Sequence, residues 1–292
     1  VALGNEVKRP ELFVSLGAVM ISFSSVYVKL VHVGPTIAGF YRVLFGGCLL
    51  LIILLIRGDR LWKDTLGFFF SAVCGVLFAL DLFCWHRCIH YVGPGLATIL
   101  ANFQVFILAL FGMVILREKL SLRVIGSITL AMLGLFMIIG FRWGSLGHMY
   151  RVGLFLGLAT ALWYASFIII LSKLQSRENA LAPMANLAVI SLISAFTLAC
   201  FSFLDGESFV IPDTMSLFAL ICYGLFSQVI GWVLITKALP KVRTSLAGLL
   251  LLLQPALSFL WDIVFFHREV SVLSVMGAAI TLAAIYLGAT GR

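Results

Sequence analysis

Ten stretches of about twenty predominantly apolar residues follow one another with little between them, and a chain built this way has few folds open to it. They run over residues 12–31, 36–56, 66–84, 95–116, 122–141, 152–172, 182–204, 216–237, 244–266 and 272–289. Each is long enough for an α-helix, rising about 1.5 Å per residue, to cross a hydrocarbon core of about 30 Å. Within lipid the backbone has to satisfy its own hydrogen bonds, so the stretches read as helices. The expected fold is an all-α integral membrane protein with ten transmembrane helices. The connections are too short to hold a separate domain outside the membrane.

Composition excludes the soluble alternatives. Apolar residues make up 62% and charged residues 11% of the chain, with mean hydropathy +1.15. A soluble domain carries about 25% charged residues. The same balance excludes a disordered chain and a nucleic-acid-binding module, so the net charge of +8 reports topology instead of an acidic partner. Basic residues favour the cytoplasmic ends of membrane helices. With the N-terminus inside, the inner connections hold Arg57, Arg60 and Lys63, and again Lys237, Lys241 and Arg243. The outer side holds Lys29, Arg87, Arg142, Arg151 and Arg268 singly. Both termini are therefore expected in the cytoplasm. Residues 1–10 show neither an apolar core nor a cleavage pattern, so they do not read as a secretory signal.

The two halves resemble each other. Residues 97–121 read ATILANFQVFILALFGMVILREKLS and residues 247–271 read AGLLLLLQPALSFLWDIVFFHREVS. Gln104 corresponds to Gln254 at an offset of 150, and Glu118 to Glu269 and Gly126 to Gly277 at 151. Gly75 with Gly224, and Pro35 with Pro183, continue the series. The expected division is one five-helix repeat over residues 1–146 and a second over 147–292. An odd number of helices per repeat makes the second enter the membrane from the opposite side. Inverted repeats of this kind belong to secondary transporters, with the binding site at the midplane between the halves.

These residues resemble the drug/metabolite transporter superfamily of the EamA type, and within it the YddG-type bacterial amino-acid exporters. The resemblance covers nearly the whole chain. It rests on the stretch Pro35–Arg42, on the junctions Glu118…Gly126 and Glu269…Gly277, and on Gln254-Pro255. Phe23 stands where the family often has tryptophan, and Val105 where its fourth helix has proline. The resemblance implies a multi-pass protein of the bacterial inner membrane that exports amino acids, aromatic ones among them, or similar metabolites. No cofactor is expected, and a monomer is compatible with this reading, which leaves the oligomeric state open. Its partners are a small-molecule substrate and the lipid bilayer.

Charged groups inside spans are costly and usually functional. Lys29, Arg42, Asp81 and Asp262 all fall toward the outer ends of their predicted spans. Arg42, Asp81 and Asp262 are therefore expected to form an outer ion-pair gate, against the plainer reading of static pairing or snorkelling. No carboxylate falls near the middle of a predicted span, which leaves facilitated export simpler than proton coupling. His86 is expected at the interface. Cys84 and Cys88 flank it without completing a metal site, and all six cysteines read as small packing residues.

Substrate-binding candidates are uncharged polar and aromatic groups: Asn102 and Gln104, Gln254 beside Pro255, Trp163 and Tyr164, Ser24, and Phe78. Amides and hydroxyls can meet a carboxylate and an ammonium, and aromatic faces attract the ammonium. The competing reading for the amides is interhelical hydrogen bonding. Gly126, Gly134 and Gly277 are expected to let helices approach closely. No phosphate loop, H-E-x-x-H or G-x-S-x-G pattern occurs, so no enzyme is expected. Broad efflux of lipophilic compounds is the alternative transport reading. A lipid-modifying membrane enzyme would need clustered His, Asp or Glu, and the five histidines are scattered.

Overall fold

The computed structural model describes residues 9–92, 94–139, 147–267, 269 and 271–290. All regular structure among them is helical. We label the helices α1 (Pro10–Leu30), α2 (Pro35–Arg57), α3 (Thr65–Val92), α4 (Pro94–Asn102 continuing as Gln104–Val114) and α5 (Leu122–Ile139). The second half contributes α6 (His148–Gln175), α7 (Pro183–Leu204), α8 (Thr214–Lys241), α9 (Thr244–Phe266) and α10 (Val272–Thr290). Among the described residues nine helices are long and apolar enough to cross a membrane, and α5 is the shorter tenth. Lys8, Gly93, Arg142, Trp143, Arg268 and Arg292 lie outside the described residues.

Helix α3 departs most from expectation. The sequence suggests an end at Cys84, where polar residues begin, yet the helix runs on to Val92. Nothing between Cys84 and Val92 breaks a helix; the first Gly-Pro pair comes after it. The polar side chains find partners instead. Arg87 binds Asp205 at 2.6 Å and lies 4.3 Å over the Phe83 ring, while His86 is buried. With its true ends, α3 carries Asp81 about 24 Å from one end and about 16 Å from the other. Asp81 and His86 are interior residues, contrary to the sequence-based placement.

The packing is reciprocal between the halves. α2 packs on α7, α4 on α9 and α5 on α10. The contact of α3 with α6 and α7 has its counterpart in that of α8 with α1 and α2. The backbones of α5 and α10 lie close together, so that a Cβ on Gly277 would stand 2.5 Å from the Gly134 carbonyl oxygen. Gly126 is different from the expectation: a Cβ there would meet nothing within 4 Å.

Backbone irregularities recur at the same places in both halves. Arg117 (φ 54°) and His267 (φ 48°) are the non-glycine residues in left-handed backbone among those described, and they follow α4 and α9 respectively. Helix α4 is interrupted at Phe103 and α9 at Leu252. In α9 the cause is Pro255, which lacks an N–H and crowds the carbonyl one turn back. In α4, without that proline, the Asn102 amide donates to the Thr98 carbonyl at 2.8 Å, in competition with the backbone ladder. Helix α1 is also interrupted, at Phe23. There Ser258 of α9 donates to the Ser22 carbonyl at 2.9 Å, Trp261 donates to the Ser22 hydroxyl at 2.7 Å, and the Trp261 ring stacks on Phe23 at 4.4 Å.

Candidate functional site

The middle of α8 is a π-helix, Tyr223–Gly231. Wide turns of this kind cost helix energy and concentrate at functional sites. Two glycines let α2 lie directly against it: a Cβ on Gly46 would meet the Gln228 side chain at 2.6 Å, and one on Gly224 would meet the Gly46 nitrogen at 3.0 Å. Just before Gly46 on α2 stands Arg42, 5% exposed.

Arg42 is held by neutral groups. Its Nε donates to Gln228 Oε1 at 3.1 Å and its Nη1 to the Tyr223 hydroxyl at 3.3 Å. The guanidinium also lies 5.0 Å from the Tyr223 ring centroid and 5.6 Å from that of Phe78. Gln228 is fixed in turn by donating to Ser191 of α7 at 2.9 Å. Among the described residues no carboxylate pairs with Arg42. Asp81, 7% exposed, acts on it through space without forming an ion pair. A permanent cation in the bundle, hydrogen-bonded only to neutral groups, is an arrangement able to take an anionic group.

Beside the arginine is an aromatic cluster. Phe78 stacks on Phe167 at 4.9 Å, and Trp232 packs edge-on against both, at 5.5 and 5.0 Å. Tyr164 joins through Phe167 and Trp232, and its hydroxyl accepts from Gln254 at 3.5 Å. The Trp232 indole nitrogen, the Gln104 Oε1 and the His86 Nδ1 are buried without a hydrogen-bond partner.

The structure thus brings Phe78, Tyr164 and Gln254 together and sets Arg42 against them. It places others apart. Trp163 is not among the rings of this cluster and lies beside Cys84 of α3. Ser24 donates to Ser227 of the π-helix at 3.1 Å, and Asn102 binds its own helix. The outer gate does not assemble from Arg42, Asp81 and Asp262, because Asp262 pairs with Lys29 at 2.7 Å. Sequence reasoning passed over Trp232, Phe167, Tyr223 and Gln228. Gln228 was within reach of the rule that selected Gln104 and Gln254, being a rare amide inside a span.

The two ends of the bundle differ. At the end bearing Lys173, Lys241 and Arg243, a cavity of about 500 Å³ opens between α4, α6 and the α8–α9 connection. Glu118 stands at its wall and caps α9, accepting from the Thr244 N–H at 2.8 Å and from the Ser245 hydroxyl at 2.8 Å. Asp64 bonds Arg177 at 2.8 Å at this end, and that bond together with the Gly67 N–H holds its carboxyl below the usual range. At the other end Lys29–Asp262, Arg87–Asp205 (2.6 Å) and His32–Asp213 (2.9 Å) tie neighbouring helices together.

The sequence profile of the EamA-like transporter family matches residues 8–140 and matches again over 151–290. The chain belongs to the EamA-like transporter family. It is a multi-pass membrane transporter. Among curated relatives, the pseudopaline exporter CntI of Pseudomonas aeruginosa is 24% identical over 255 residues, covering 87% of this chain and 86% of that protein. An uncharacterized transporter of Bacillus subtilis, YvbV, is 24% identical over 260 residues, covering 87% and 82%. A crystal structure superposes with TM-score 0.82 at 16% identity over 95% of each chain, a likeness of fold alone.

Proposed function

We propose that this EamA-family transporter exports α-amino acids, aromatic ones among them, or similarly small zwitterionic metabolites. Transport runs by alternating access between the halves 1–146 and 147–292, in a bacterial inner membrane. The observation that carries the reading is Arg42, buried and, among the described residues, hydrogen-bonded only to Gln228 and Tyr223. A substrate carboxylate supplies the missing anion, and guanidinium–carboxylate bonds are strong where water is excluded. Phe78 and Tyr223, already stacked around the guanidinium, flank the substrate, and Tyr164 with Gln254 offers a polar edge.

Basic connections favour the cytoplasmic side, so the end with the 500 Å³ cavity is the cytoplasmic entrance and both termini are cytoplasmic. The ion-paired end is then the closed outer side. Export also matches the activity for which the Pseudomonas relative is named, which concerns that protein's own cargo. Efflux of lipophilic compounds is less well supported, because the aromatic cluster is filled by its own rings: Phe78 is 2%, Phe167 1% and Trp232 1% exposed.

The test is uptake into liposomes holding purified protein, with labelled phenylalanine, leucine, a sugar phosphate and a lipophilic cation offered separately. Saturable flux of the amino acids, several-fold above that of the other two, is expected. Preference for the lipophilic cation contradicts the reading.

A further inference from the structure

Arg42 and Asp81 share the interior and do not close on each other. Each is at least nine-tenths buried, and the Arg42 charge reaches Asp81. No ion pair forms within 4.0 Å, and the Asp81 carboxylate makes no hydrogen bond among the described residues. Opposite charges in a membrane interior gain by pairing. A buried cation and a buried carboxylate that stay unpaired are each open to the opposite charge of a zwitterionic ligand. The position of Asp81 along α3, about 24 and about 16 Å from its ends, puts it within the hydrocarbon layer. Ionisable groups at that depth are the usual carriers of protons in pumps and transporters.

We propose that Arg42 and Asp81 form a split receptor for the zwitterion, Arg42 taking the carboxylate and Asp81 the ammonium, and that Asp81 is also the proton site that couples export to the proton gradient. The inference rests on the amino-acid reading above. One carboxylate holds an ammonium or a proton, not both, so substrate and proton alternate on it. Open to the cytoplasm, Asp81 releases its proton and takes the ammonium. Open to the outside, the zwitterion leaves and a proton neutralises the carboxylate. The protonated form then returns. Each cycle moves one zwitterion out and one proton in, with one net positive charge inward.

The groups that act on Asp81 fit this exchange. From α2 comes the fixed cation Arg42, and the Tyr164 hydroxyl of α6 and Cys84 of its own helix lie within reach of the Asp81 charge. His86 is also buried on α3 and packs its ring against Gly39, close enough for a Cβ there to meet it at 3.2 Å. The first part of α4, Pro94–Asn102, has no titratable side chain, and on α7 Cys200 is the one such group and is exposed. Asp81 is therefore the one carboxylate among the described residues that shares this interior.

The experiment uses liposomes loaded with labelled phenylalanine and a fluorescent pH dye, the potential clamped, diluted into buffer one pH unit more acidic. The wild type is expected to release phenylalanine faster than without the gradient, with acidification of the lumen that requires phenylalanine. A unit of pH sustains a concentration ratio of about tenfold at equilibrium. Asp81→Asn is expected to lose both the acidification and the stimulation, and Asp81→Glu, which restores the carboxylate, to keep them. Wild-type phenylalanine efflux with no change in lumen pH overturns the coupling and leaves the transport reading standing. Phenylalanine-dependent acidification by Asp81→Asn at the wild-type rate overturns it as well. No phenylalanine flux by the wild type under any gradient removes the transport reading itself.

Discussion

A guanidinium cannot shed its charge by losing a proton, so Arg42 brings a positive charge into the bundle whatever surrounds it. Its neighbours Gln228, Tyr223 and Phe78 moderate that charge and leave it uncancelled. Asp213 shows the opposite arrangement outside the membrane. It accepts from His32 at 2.9 Å and from the Ser216 N–H at 2.7 Å, and these bonds lower its pKa to about 2. A carboxyl depressed on folding stabilises above its unfolded pKa, and the contribution disappears as pH falls through the folded value. The part of thermal stability removed by Asp213→Asn should therefore be constant near neutral pH and vanish between about pH 4 and pH 2. Melting curves of both proteins in detergent measure this; a difference that persists undiminished at pH 2 contradicts it. At this scale the sequence was partly legible. Gln254 and Tyr164 stood out as polar groups inside spans, and they meet. The direction of a side chain was not legible: Trp163 and Tyr164 are adjacent, and only one faces the cluster.

Helices α4 and α9 show what is readable from an element and what is not. Their aligned Gln104 and Gln254, and the glutamates that follow, signalled two copies of one unit, and the left-handed Arg117 and His267 occupy matching turns. The interruption of α9 followed from Pro255. That of α4 had no such marker, since a side-chain amide accompanies it. The π-helix in α8 had none either: it lies against Gly46 of α2 and Gly17 of α1, tertiary contacts that no local pattern records. The end of α3 was misjudged because polarity was taken as a stop, whereas a helix ends where its backbone can no longer continue. Glycines separate in the same way. Gly277→Val should destabilise by roughly 1–3 kcal/mol, since the added atoms meet the Gly134 backbone. Gly126→Ala, which meets nothing, should be neutral or gain about 0.4–1 kcal/mol. Chemical denaturation of the two variants side by side checks the pair; equal losses would contradict it.

Across the whole molecule, reciprocal packing of the halves gives two ends of unequal closure. One opens in a cavity walled by the Glu118 cap, and the other is tied by two ion pairs and the His32–Asp213 hydrogen bond. Two similar halves that exchange these roles would open the interior to each side in turn, with Arg42 remaining between them. Membrane class and the run of membrane-length helices were legible because hydrophobic length survives in the linear sequence. The interior was less so, because it is assembled from α2, α3, α6, α7 and α8, whose contacts no local pattern records. The central claim is that Arg42 receives the carboxylate of the transported amino acid, and equilibrium binding of labelled phenylalanine to purified protein in detergent tests it most directly. A charge-assisted bond of about 1.5–3 kcal/mol predicts that Arg42→Gln weakens binding roughly 10- to 150-fold, with the protein still folded by its melting curve. Wild-type affinity in Arg42→Gln would contradict the claim.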